Sequence, residues 1–323
     1  MPRCYSRRRE VLATLLMQLI EEAGLNRIPA DGKGPDLGEQ YRRLRAAAHA
    51  FELAESLPVA AYLCTYPPAL PAFLDRIAVA PAARFKRTRP QGILLTIVTG
   101  VGHGQLVLGA SESLPVRGRI SVFGERDGHG HDRPADRSAR APYLAICLVG
   151  RPSADQPVAI LRAYAHPCVG TRDLMLVDSN LERGTLDELR RLQNWLRVNK
   201  GVRLEIEKPH FDIAEERDDP TGSETEPHEP CIPDFILRAE GTAARGARTV
   251  LVETMGYADE TYRARKQAAH ELMEHVARAP VVLHDFHFPE DHSQSARDRR
   301  FWLDARWTIT GTDRAAVEIE PAQ

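Results

Sequence analysis

Two carboxylates in the last third of the chain are spaced so that they could share a site. Pro233-Asp234 opens a run of β-favouring residues, and Glu253 lies near the end of the next such run, 19 residues later. Strand alternation sets Asp234, Ile236 and Arg238 on one face of the first run, and Leu251, Glu253 and Met255 on one face of the second. If those faces coincide, two hard oxygen ligands converge at a sheet edge. Ligands of this type suit Mg2+ or Mn2+, which lowers the pKa of bound water and braces a phosphodiester for in-line attack. The plain alternative is a Pro-Asp turn and an incidental strand glutamate, and spacing alone leaves the two level.

Two further side chains bear on that choice. Leu186, Leu189 and Leu196 mark the apolar stripe of a helix expected over 180–198, and Glu182 lies on that stripe rather than opposite it. A carboxylate aimed at a sheet needs a partner, because an unpaired buried charge is costly. Equally, Ser179-Asn180-Leu181-Glu182 is an S-x-x-E capping box, in which the glutamate returns to the Ser179 N–H. In a helix expected over 259–278, Tyr262, Ala269, Met273 and Val276 mark the buried stripe, and Lys266 falls within it. Its ammonium would either stabilise charge developing on a scissile phosphate or snorkel to water over a packed stem. Of the 43 basic residues, the lysines are Lys33, Lys86, Lys200, Lys208 and Lys266 alone. Arginine has taken the generic surface positions, so a retained lysine leans toward a chemical role.

The elements that must position these residues fall in the order αβββαβ. They are the helix at 180–198, strands at 203–208, 232–239 and 249–255, the helix at 259–278 and a strand at 281–288. The strand–helix–strand end predicts a parallel crossover, hence a mixed sheet with helices on its faces. An acidic insert at 213–230, with Glu215, Glu216, Asp218, Asp219, Glu224, Glu226 and Glu229, separates two of the strands. Residues 1–90 read as a helical region: Val11, Leu12, Leu15, Leu16 and Leu19 recur at helical spacing, Gly24 stops that helix, and Pro67, Pro68 and Pro71 break the pattern. Residues 91–177 turn to short β-rich runs between Gly and Pro, predicting a small antiparallel sheet or barrel. The chain is thus expected to be a multidomain α+β or α/β protein, divided as 1–90, 91–177 and 178–323.

With Glu182, Asp234 and Glu253 placed on αβββαβ, residues 180–288 resemble the PD-(D/E)XK, or restriction-endonuclease-like, nuclease superfamily. The resemblance implies a Mg2+- or Mn2+-dependent deoxyribonuclease acting on DNA. Asp234 and Glu253 would hold the metal, Lys266 would assist at the phosphate, and Glu182 would support the site through water or a second metal. The third motif departs from the family, reading Glu253-Thr254-Met255 with methionine where the family's lysine stands. In some members the lysine has moved, sometimes to the following helix, which assigns its role to Lys266, with Lys208 the second candidate. If neither reaches the site, the resemblance implies a catalytically inactive DNA- or protein-binding accessory. The chain is also similar to a bacterial family of integrative conjugative and other mobile elements. The shared features are Val177-Asp178-Ser179, Glu182-Arg183, Lys208-Pro209, Pro233-Asp234-Phe235, Glu253, Met255-Gly256 and Tyr262-Arg263-Ala264-Arg265-Lys266, with Ala23-Gly24-Leu25-Asn26 nearer the start. Proteins of such an element join DNA as implied partners.

Composition sets the background. At 323 residues, 43% apolar and 27% charged, the chain reads as an ordinary globular protein. Its longest near-apolar stretch, Val11 to Ile20, is about half the ~20 residues a spanning helix needs, so no membrane partner is expected. Ser6-Arg7-Arg8-Arg9-Glu10-Val11-Leu12 has the look of a twin-arginine signal, but the run contains Gln18 and flows into Glu21-Glu22, as an amphipathic helix would. Five scattered cysteines without C-x-x-C spacing fit a reducing cytoplasm. The net charge of −2 hides opposite halves: residues 1–170 sum to +7 and residues 171–323 to −9. The basic front is the part suited to holding nucleic acid. Three weaker constellations read as structural: Gly100-Val101-Gly102-His103-Gly104 as a hairpin turn, Asp127, His129, His131 and Asp132 as a loop, and His284-Asp285-Phe286-His287 as a strand with core or surface histidines.

Overall fold

The structure, a computed structural model, describes residues 11–54, 57–79, 91–109, 112–124, 140–152, 156–213 and 231–311. The acidic residues Glu215 to Glu229 and the set Asp127, His129, His131 and Asp132 lie outside these described residues. The chain divides into two compact units. The first holds the opening helix and Pro35–Asn180; the second holds Asn26–Gly34 and the chain from Leu181 onward.

In the first unit the helical and β-rich regions share one core rather than two. Tyr62, Leu70, Phe73, Leu74 and Ile77 from the helical region pack with Leu94, Val98, Tyr143, Cys147 and Ala163 from the strands. The helices are Val11–Glu22, Leu37–Ala47 and Leu70–Val79. The sheet runs in the order Asp173–Leu176, Ala159–Gly170, Tyr143–Gly150, Gln91–Val98, Leu63–Cys64. It is mixed rather than purely antiparallel, because Leu63–Cys64 joins Ile93–Leu94 in parallel and Ile120–Val122 joins Ala163–Ala165 in parallel. The glycine-rich stretch is a hairpin: Gly100–Gly102 pairs with Gln105–Val107 through a turn in which Gly104 takes φ +69°.

The second unit has the predicted order, extended at both ends. A short strand β1 (Arg27–Ile28) is followed by α1 (Asn180–Lys200), β2 (Arg203–Glu207), β3 (Phe235–Glu240), β4 (Thr249–Met255), α2 (Glu260–Ala277), β5 (Val281–Asp285) and α3 (Gln294–Thr310). The sheet order is β1-β2-β3-β4-β5, antiparallel up to β4 and parallel between β4 and β5, as the α2 crossover requires. α2 starts on an Asp259 side chain that accepts from the Tyr262 N–H, and α3 starts on Ser293 and ends at Gly311 with φ +64°. α3 buries Phe301, Ala305 and Ile309, four residues apart, in a helix that also carries six charged residues. No helix among the described residues is long and apolar enough to cross a membrane.

A polar spine ties α1, β4, β5 and α3 together. The Thr185 hydroxyl of α1 lies 3.0 Å from the Thr254 hydroxyl and 2.9 Å from His284 Nδ1, and His284 Nε2 lies 3.0 Å from Asp298 Oδ1. The His284 ring stacks on Phe301 at 4.4 Å. Burial outweighs the Asp298 and Asp285 carboxylates and holds this imidazole below the ordinary histidine value. On acidification through about pH 6.5 the unfolded chain binds a proton that the folded His284 refuses, so its share of stability is full above that pH and is lost below it. His284→Gln is therefore expected to flatten the fall in melting temperature between about pH 7.5 and 5.5. Melts across that range giving the same slope in parent and variant would contradict this.

Candidate active site

β3 and β4 bring the two carboxylates together by register. Phe235 stands opposite Val252 and Ile236 opposite Leu251, so Asp234 falls opposite Glu253, one step beyond the last pair. The two faces coincide, as alternation requires. The Asp234 N–H donates to Glu253 Oε1 at 3.1 Å, and the Thr254 N–H donates to Asp234 Oδ2 at 2.7 Å. Each strand thus holds the other's carboxylate by its backbone.

Cations approach this pair from both sides of the sheet. On one face α2 presents Tyr262, Lys266, His270 and Met273 as a single stripe. Lys266 Nζ lies 2.5 Å from Glu253 Oε2 and His270 Nε2 lies 3.5 Å from the same oxygen. Arg263 anchors the helix that carries them by a two-pronged contact with Asp285, at 2.5 and 3.3 Å. On the other face Lys208, just past β2, sets its ammonium 3.0 Å from Glu182 Oε2 and 4.0 Å from Asp234 Oδ1. The Lys208 N–H donates to the Asn26 carbonyl at 2.8 Å, which is how β1 helps to fix this lysine. Gly256 ends β4 against α1: a Cβ there would meet Leu181 Cδ1 at 2.8 Å.

All four residues singled out in the sequence therefore meet at one end of this sheet. Glu182 reaches the cluster through Lys208, and Asp234, Glu253 and Lys266 are in or near direct contact. Met255, in the position of the motif lysine, is buried as core, while both replacement candidates, Lys266 and Lys208, reach the carboxylates. Sequence reasoning passed over His270, although it lies one helical turn beyond Lys266 on the same stripe. It also passed over the support that Asn26 gives to Lys208. Asp285 and His287 form a tie instead of joining the cluster: His287 Nε2 lies 3.1 Å from the Gly256 carbonyl and the His287 N–H donates to Asp285 at 2.9 Å.

The charges are unequal within the pair. Burial, then the neighbouring Glu253 charge, pushes the Asp234 carboxyl up, against Lys208, Lys266 and the Thr254 N–H. Burial also pushes Glu253 up, but His270 and Lys266 outweigh it and hold this carboxyl below the usual range. Lys266 is shielded from water, yet Glu253 and Asp234 keep it charged above the ordinary lysine value.

Among the described residues no three His, Cys, Asp or Glu side chains form a metal-binding group. A cation at this site would have Asp234 and Glu253 as protein ligands. That set fits Mg2+, which commonly takes one or two carboxylates and fills its shell with water and substrate phosphate. A buried aspartate whose charge is disfavoured by its glutamate neighbour is also the environment that a divalent cation relieves.

Residues 178–317 match the family model described as "Restriction endonuclease-like C-terminal domain", and the mixed αβββαβ sheet lies within that span. The chain belongs to the family described as "Domain of unknown function (DUF8535)", whose model matches residues 3–168. It is 35% identical over 167 residues to a protein of Escherichia coli described as "Uncharacterized protein in cib 5'region", a match covering 50% of this chain and 67% of that protein. No solved structure matches the chain.

Proposed function

We propose that the C-terminal domain is a Mg2+- or Mn2+-dependent deoxyribonuclease that hydrolyses phosphodiester bonds. The observation that carries this is the convergence of Asp234, Glu253, Lys266 and Lys208 at one sheet end. Asp234 and Glu253 would hold the cation, which when bound supplies an acidified water and positive charge at the phosphate. The backbone N–H groups of Asp234 and Thr254 orient the two carboxylates. Lys266, on a helix pinned by Arg263, offers its ammonium to the charge developing on the phosphate oxygens. Lys208 offsets Glu182 and Asp234, so that the acidic cluster does not repel a polyanion.

A cytoplasmic setting, DNA as partner, a basic front that helps to hold it, and service to a mobile genetic element complete the reading. The second reading is a non-catalytic DNA- or protein-binding accessory on the same scaffold, and Met255 in the lysine position favours it. Purified full chain incubated with plasmid and linear DNA in Mg2+ or Mn2+ separates the two. Metal-dependent cleavage that Asp234→Ala and Lys266→Ala abolish is expected. No cleavage, or cleavage undiminished in Asp234→Ala, would contradict the nuclease, and salt-sensitive binding without cleavage would favour the accessory.

A further inference from the structure

Large apolar side chains left exposed among the described residues of the second unit are Val198, Tyr257 and Leu283. Tyr257 stands out by size and place, at 57% exposure and two residues beyond the end of β4. Its ring meets Tyr262 at 5.1 Å in an edge-on contact of 75°. Tyr262 lies one helical turn before Lys266, and the Arg265 guanidinium sits 5.8 Å from its ring centre. Lys266 in turn sets its ammonium 2.5 Å from Glu253 Oε2, which puts the Tyr262 ring one helical turn from the proposed site. An exposed aromatic gains little for folding from one edge contact, since over half of its surface stays in water.

We propose that Tyr257, backed by Tyr262 and Arg265, is a stacking platform for an unpaired nucleobase next to the scissile phosphate, and that the substrate is therefore DNA with a single-stranded segment. The proposal rests on the reading of Asp234 and Glu253 as a phosphodiesterase site. A duplex hides its base faces and presents edges and phosphates, whereas a base outside the helix offers a face to an aromatic ring. Stacking adds affinity through a base face that a duplex withholds.

The test uses full chain in chelator, so that binding is read without cleavage. The probes are one oligonucleotide carrying 2-aminopurine, single-stranded or in a blunt duplex, followed by anisotropy and 2-aminopurine emission. The parent is expected to prefer the single strand and to quench its 2-aminopurine. Tyr257→Ala is expected to lose roughly tenfold in single-strand affinity together with the quenching, the effect of one lost stacking contact. Tyr257→Phe should keep both, and duplex affinity should not move. Equal affinity for the two forms, no binding of either, or an unchanged single-strand affinity in Tyr257→Ala would overturn the proposal. Failure of the nuclease reading is distinguishable: it shows as absent cleavage in Mg2+ with this binding pattern intact. Cleavage of blunt duplex that Tyr257→Ala leaves untouched, with no single-strand preference, removes the platform alone.

Discussion

Asp234→Asn is expected to melt at or above the parent in chelator and to lose DNA cleavage by on the order of a thousandfold. The two effects have one origin. Asp234 is a carboxylate whose charge the folded chain disfavours, by burial first and by Glu253 second, with Lys208, Lys266 and the Thr254 N–H offsetting only part of this. Asparagine keeps a side-chain oxygen for the Thr254 N–H, which donates at 2.7 Å in the parent, and removes the repulsion with Glu253. What it removes besides is an anionic ligand, and with it the charge that would draw a divalent cation into the site. Stability and activity should move in opposite directions, as they do where a site is arranged for function rather than for folding. Thermal melts beside cleavage rates check this. A variant that unfolds several degrees early, or that cleaves as fast as the parent, would contradict it.

Lys266→Met is expected to cost the fold several degrees of melting temperature. Glu253 is fully buried at its side chain and Lys266 is three-quarters buried, 2.5 Å away. Methionine retains the apolar stem but leaves the glutamate charge with His270 at 3.5 Å as its remaining neighbour on this helix. Breaking a buried pair from one side typically costs 3–5 kcal/mol, and partial exposure of the lysine points to the lower end, about 3 kcal/mol. For a domain of this size that is a drop of roughly 6–12 °C in melting temperature. On the proposed nuclease reading, cleavage should fall by about 10²–10³, because the cation assigned to the phosphate is lost. The double variant Glu253→Gln with Lys266→Met should regain most of the melting temperature, because no buried charge is then left alone, and should remain inactive. If the single variant melts with the parent, the lysine is a surface group and its assigned role fails.

Much of the site was legible because its logic is local. Asp234 and Glu253 share a face by period-two alternation, and Lys266 shares a stripe with Tyr262 by the helical repeat. Lysine scarcity added a hint, and two of the five lysines, Lys208 and Lys266, do sit at the carboxylates. Glu182 was evenly balanced between cap and site, since which way a first-turn carboxylate turns depends on Lys208, 26 residues away. The non-local parts were not legible. β1 is two residues long and acquires its meaning only by pairing with Ile206 and Glu207, about 180 residues later. α3 escaped notice because its charged positions dilute the apolar spacing of Phe301, Ala305 and Ile309. The helical region and the β-rich run looked separate because composition changes between them, yet Phe73 and Ile77 complete the core over Leu94 and Tyr143.

In the proposed nuclease, Asp234 and Glu253 form one divalent-cation site. Its most direct measurement is a titration of full chain with Mn2+ followed by electron paramagnetic resonance, beside Asp234→Asn. A saturable Mn2+ site in the parent that Mg2+ displaces and that the variant lacks is the expected result. No saturable binding in the parent, or binding of equal strength in the variant, would contradict a cation site at Asp234 and Glu253.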